Sequence, residues 1–158
     1  MASEAARVLI AGGEVESTAA ILTREIESEL RGYLATERDV NDKTKELLER
    51  TGRPQSEYGR VRVQIASSNG IAVGDETLDH LLDRVVAHLL EADEIEEIFA
   101  TDLELRKKLA TVFKKHMAID AGMDTEVRAQ LRHVKEGTDL WDIEYDKALV
   151  KVRTRRGI

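Results

Sequence analysis

The 158-residue chain has no cysteine, one proline, ten glycines and only 4% aromatic residues. Without cysteine there is no disulfide, no thiolate nucleophile and no zinc site that needs sulfur, a composition that suits a reducing compartment. Apolar runs never exceed a few residues, too short for a membrane-spanning helix. The stretch Val8 to Ala11, with Glu4 ahead of it, is also too short for a signal-peptide core. A cytoplasmic location and no membrane partner are therefore expected. Phosphate-binding loops, dinucleotide fingerprints, H-E-x-x-H and G-x-S-x-G are all missing. The expectation is a non-catalytic protein with no cofactor, no metal and no catalytic residue.

What the chain does have is charge, 35% of its residues, placed unevenly. Between Glu91 and Glu104 stand Glu91, Asp93, Glu94, Glu96, Glu97, Asp102 and Glu104, with no lysine or arginine among them. Outside that segment the acids equal the 24 bases, so the whole net charge of −7 resides there. A basic cluster, Arg106, Lys107, Lys108, Lys114 and Lys115, follows at once, and a second ends the chain.

Apolar spacing is mostly helical, and the expected class is all-α, a helical bundle. After Asp75 as a plausible cap, Leu78, Leu81, Leu82, Val85, Val86, Leu89 and Leu90 form one broad stripe. Leu22, Ile26, Leu30, Tyr33 and Leu34 form another. Thr101 and Glu104 have the spacing of a capping box ahead of Leu105, Leu109, Val112, Phe113 and Met117. Asp124 is expected to cap a shorter helix with Val127, Leu131 and Val134, and Asp139 a last one with Trp141, Tyr145, Ala148, Leu149 and Val152. Gly12-Gly13, Thr51 to Pro54, Ser67 to Gly70 and Lys135 to Gly137 are the breaks. Val61, Val63 and Ile65 alternate with polar residues as a strand would, but no second strand offers a partner.

Self-similarity favours helix there as well. A shift of 83 places Val15 on Ile98, Leu22 on Leu105, Ile26 on Leu109, Tyr33 on His116, Val40 on Met123 and Leu48 on Leu131. A shift of 87 then places Tyr58 on Tyr145, Val63 on Val150 and Gly70-Ile71 on Gly157-Ile158. Two related tandem halves are expected, 1–71 and 72–158, packed as one unit.

Several stretches, ERDVNDK from Glu37, GDETLD from Gly74, DLELRKK from Asp102, KKHM from Lys114 and EGTDLWDIEYDK from Glu136, resemble a bacterial family. That family is catalogued only as domain of unknown function number five hundred and seven. The resemblance covers nearly the whole chain and is weakest over the first fifteen residues. It implies a helical fold, in members with one copy of the unit or with two related halves, and implies no activity, cofactor or catalytic residue.

Candidate surfaces follow from charge and aromatics. Ile95, Ile98, Phe99 and Leu103 are threaded through the acidic segment, which suits docking to a basic partner; Glu94, Glu97, Ile98 and Phe99 are the expected contact region. The leading expectation is accordingly a protein–protein interaction or adaptor module with an unidentified protein partner, homo-oligomerisation included. A second reading is a nucleic-acid-associated factor whose C-terminal helix meets phosphates through Lys151, Arg153, Arg155 and Arg156. A third is an enzyme or metal protein using helical carboxylates and His116. Against it, His80 and His88 are eight residues apart, too far for a joint ligand pair, and share an outer, solvated helix face with Arg84. His116 falls where the other half has Tyr33, which argues for packing. Trp141 and Tyr145, at i and i+4, are read as core rings with a polar tip.

Overall fold

A computed structural model describes residues 1–158. Six helices and one two-stranded ladder follow in the order α1 (Ala2–Ala11), β1 (Val15–Glu16), α2 (Ala19–Thr51), α3 (Tyr58–Ser68), α4 (Thr77–Glu91), β2 (Glu97–Ile98), α5 (Asp102–Gln130) and α6 (Asp139–Arg156). The all-α class expected from periodicity is what the chain adopts.

Local chemistry sets the helix ends. Thr18 caps α2 by accepting from the Ile21 amide at 3.2 Å. At the other end Gly52 takes the left-handed conformation that only glycine adopts cheaply, and the chain turns away. The expected capping box at α5 is present. The Thr101 amide donates to Glu104 Oε2 at 2.8 Å, and the Glu104 amide donates to Thr101 Oγ1 at 3.3 Å. The Thr101 amide first, and the Thr101 hydroxyl donating to the same Glu104 oxygen at 3.1 Å second, hold the Glu104 carboxyl below its usual range.

Other expected ends are displaced. Thr77 opens α4 after a short 3₁₀ turn, Gly74–Glu76, and no side chain, Asp75 included, caps it. Asp124 caps nothing, because α5 runs unbroken through it. Met123 and Val127 on α5 are buried together with Trp141, Ala148 and Val152 of α6, and this packing outweighs the helix start that Asp124 suggested. Thr138, one residue ahead of Asp139, caps α6 by accepting from the Trp141 amide. The alternating segment is helical: Val61 is buried, Ile65 at i+4 half-buried, and Val63 on the far side exposed.

The ladder was not foreseen. Val15 pairs with Ile98 and Glu16 with Glu97, antiparallel, and the Phe99 amide extends the ladder by donating to the Glu14 carbonyl at 2.9 Å. Two residues per strand are too few to leave a period in the sequence.

Residues group into two compact units, Met1–Phe113 and Lys114–Ile158. The core of the first gathers Leu9 of α1, Leu22 and Ile26 of α2, Val85 and Leu89 of α4, and Leu105, Leu109 and Phe113 of α5, all buried. The second has its own core of Met123, Val127, Leu131, Trp141, Ala148 and Val152. Compact units and sequence halves therefore divide the chain differently. Contacts thin at Phe113 rather than at residue 71, because α4, β2 and the first turns of α5 pack with α1 and α2.

Candidate functional site

The acidic segment leaves α4 at Ala92, passes through β2 and enters α5. Its apolar residues split by side. Ile95 is buried and Ile98 packs half-buried against the core, so both anchor the segment. Phe99, 61% exposed, and Leu103, 74% exposed, face outward.

Leu103 forms one wall of a groove of about 490 Å³. On the α4 side it is lined by Asp83, Val86, Ala87, Leu90 and Glu91, and on the α5 side by Asp102, Leu103 and Arg106. The spacing explains it: Asp83, Val86, Ala87 and Leu90 lie at i, i+3, i+4 and i+7, one edge of the α4 stripe, while the other edge faces the core. Val86 is the buried floor, and Leu90 is 45% exposed. Arg106 spans one end, bonded to Asp79 at 2.8 Å and to Asp83, so that cation is already engaged. Glu91 and Asp102 make no ion pair and leave the rim negative.

The predicted contact residues are thus distributed unevenly. Glu94 is tied to Arg24 of α2. Ile98 is turned inward. Glu97 and Phe99 are exposed. Glu97 stands directly opposite Glu16, also exposed, in the ladder; like charges in that relation destabilise a strand pair. Sequence reasoning missed the contribution of α4, although Leu90 and Glu91 sit at the end of its strongest stripe.

A hollow of about 670 Å³ is lined by Lys43, Glu46, Leu47, Glu49, Arg50 and Ile65. Its two acids and two bases cancel, so it favours neither sign of ligand.

The C-terminal bases divide as well. Arg155 and Arg156 both bond Glu126, whereas Lys151 and Arg153 are exposed and unpaired. In the same unit the Tyr145 hydroxyl donates to Asp124 Oδ1 at 2.6 Å, Arg128 Nε donates to Asp124 Oδ2 at 2.9 Å, and the Arg128 guanidinium lies 5.6 Å from the Trp141 ring. Burial first, and the bond to Asp124 second, push the Tyr145 phenol up to about 12. This network braces a small core, the structural role expected of Trp141 and Tyr145.

The histidines correct one expectation. His80 and His88 do not lie on a solvated face, because α4 packs that side against α2. His88 Nε2 lies 2.8 Å from Glu25 and Nδ1 3.4 Å from Glu29, which also bonds Arg84. His80 stacks near Tyr33, ring centroids 5.9 Å apart, with its Nε2 buried and unpartnered. Burial, and then Arg84, lower its pKa. His116 is half-buried on α5 and His133 exposed. No three histidine, aspartate or glutamate side chains are grouped to share a metal ion. No helix is long and apolar enough to cross a membrane.

A family model described as "Protein of unknown function (DUF507)" matches residues 1–158. No curated protein matches the chain.

Proposed function

The chain belongs to the DUF507 family, for which no activity is described, and from that premise we propose that it is a non-catalytic protein–protein interaction module of the cytoplasm. The observation that carries this reading is the groove between α4 and α5, where Leu90 and Leu103 lie exposed inside a rim whose free charges, Glu91 and Asp102, are negative. An apolar strip framed by one sign of charge suits a partner that presents apolar residues flanked by lysine or arginine. Support also comes from Glu16 and Glu97: two facing carboxylates weaken their own ladder and add to the negative field around the exposed Phe99.

The halves 1–71 and 72–158 are, in this reading, related by duplication. Helices α2 and α5 begin 83 residues apart, and the Val15 and Ile98 that the shift equates are ladder partners. Buried Val40, Thr44 and Leu48 also fall on buried Met123, Val127 and Leu131.

The experiment is a native pull-down with cross-linking mass spectrometry, with and without nuclease, comparing the wild type with Leu90→Asp plus Leu103→Asp. Other proteins cross-linked near residues 90–106 should disappear from the variant and survive nuclease. Retention of every such protein by the variant would remove this assignment. Loss on nuclease treatment would favour the nucleic-acid reading, for which Lys151 and Arg153 are the unpaired bases. Glu126 already occupies Arg155 and Arg156 and weakens that reading.

A further inference from the structure

Asn69 is one of two asparagines in the chain and the one followed by glycine. The end of α3 explains why that pair stands there. The Gly70 amide donates to the Ser67 carbonyl at 3.2 Å and the Ile71 amide to the Ala66 carbonyl at 3.1 Å, the paired bonds of a Schellman cap. Such a cap puts the residue after the helix in the left-handed region, and Gly70 sits there with φ of 73°. Asn69 completes the end with its side chain. Its Nδ2 donates to the Ile65 carbonyl at 2.7 Å, and its Oδ1 accepts from Lys43 Nζ at 3.1 Å.

The glycine that the cap needs also removes the side chain that would shield the peptide nitrogen following Asn69. That nitrogen and the Asn69 carboxamide carbon can close a succinimide ring, and hydrogen bonds are what hold them apart. Those bonds open readily. Gly70 is exposed, its bond to Ser67 is at the long end of the normal range, and a helix end at the surface frays at little cost. Lys43 draws electrons from the amide carbonyl and favours the negative charge that Oδ1 takes up during attack. Asn41, by contrast, is followed by Asp42 and lies in the interior of α2.

We propose that Asn69 is a self-modification site that deamidates through the Gly70 nitrogen, with water as the only other reactant. The Gly70 N–H gives its proton to solvent base and the nitrogen attacks Cγ of Asn69, so that an N–Cγ bond forms and the Cγ–Nδ2 bond breaks. Nδ2 departs as ammonia, taking up a proton, and the succinimide remains. Water then opens the ring. Addition at Cγ leaves aspartate at position 69; addition at the backbone carbonyl leaves iso-aspartate, with the chain running through Cγ. One water is consumed and one ammonia released, with no oxidation or reduction.

Both products alter the hollow between α2 and α3, because Asn69 bonds to two of the residues that line it, Lys43 and Ile65. Glu46 and Glu49 there balance Lys43 and Arg50. A carboxylate at position 69 tips that balance to net negative, keeps Lys43 as a partner and loses the bond to Ile65. Iso-aspartate also lengthens the backbone just ahead of the buried Ile71 and so disturbs the cap.

The test incubates the folded full chain for days in heavy-oxygen water, at neutral and at mildly alkaline pH, and reads its peptides by mass spectrometry. The peptide holding Asn69 should exchange NH for one heavy oxygen, faster at the higher pH, and should divide between aspartate and iso-aspartate on electron-transfer fragmentation. The intact chain should gain one negative charge on ion exchange. Asn69→Gln, with its longer side chain, should lose the modification, and the peptide holding Asn41 should stay unchanged. An Asn69 that converts in the urea-unfolded chain but survives in the folded one overturns the inference, since the cap then closes the site; survival in both overturns it as well. Aspartate without iso-aspartate would show that water, not the Gly70 nitrogen, attacks the amide, and equal conversion at Asn41 would remove the role of Gly70.

Discussion

Replacing Trp141 by alanine should unfold the second unit and spare the first. The ring is the largest side chain in a core built from only six buried residues. Truncating a buried tryptophan costs about 3–5 kcal/mol. Loss of the Arg128 contact over the ring adds about 0.5–1 kcal/mol, the lower range because that guanidinium is part exposed. Against this, the unit spans only Lys114–Ile158, for which about 0.05–0.15 kcal/mol per residue gives roughly 2–7 kcal/mol. The cost is of the same size as the whole stability of the unit. Hydrogen exchange read by mass spectrometry should therefore show amides of Met123–Leu131 and Leu149–Val152 losing protection by at least about a hundredfold, with each factor of ten standing for about 1.4 kcal/mol. Amides of Leu105–Val112 should hold theirs, because Leu105, Leu109 and Phe113 belong to the other core. Trp141→Phe, which keeps a ring, should retain most of the protection. Equal loss in both cores, or unchanged protection beyond Lys114, would refute the reasoning.

Glu97→Lys should stabilise the protein by about 0.2–1 kcal/mol, since it turns a like-charge cross-strand pair with Glu16 into an attractive one; the melting temperature should rise in low salt and less in high salt. Tyr145 should ionise at about 12 in an ultraviolet pH titration, and Tyr145→Phe should remove that step. Its folded-state pKa is raised, so its contribution is complete below about 10 and is lost as pH climbs towards about 12. His80 behaves oppositely. Its folded pKa is lowered, so stability is full above about 6.5 and falls as pH drops below it. Chemical denaturation of wild type and His80→Gln at several pH values should show that slope diminished in the variant, and an equal slope in both would count against the buried position of the ring.

Repeating, local signals were readable in the sequence. The α4 stripe, the capping box at Thr101 and Glu104 and the helical nature of 58–69 each depend on residues within a few positions of one another, and the structure shows all three. What escaped depends on distant partners. Asp124 looked like a helix start because its neighbours say so; the packing of Met123 and Val127 against α6 decides otherwise. His80 and His88 looked solvated because a single helix cannot show that α2 covers it. In the acidic segment, the alternation that turns Ile98 in and leaves Phe99 out follows from the ladder with β1, which two residues cannot announce.

That ladder also has a timetable. Val15 is synthesised 83 residues before Ile98, and at about 5–20 residues per second the wait is roughly 4–17 s. During it α1 and α2 can already meet, while the backbone edge at Val15 stays unpaired and open to any other strand, including the same segment of a neighbouring nascent chain. Glu14 and Glu16 stand on either side of Val15. Charges so placed discourage two such edges from pairing with each other. The carboxylate that weakens the finished ladder thus guards its unfinished half during synthesis.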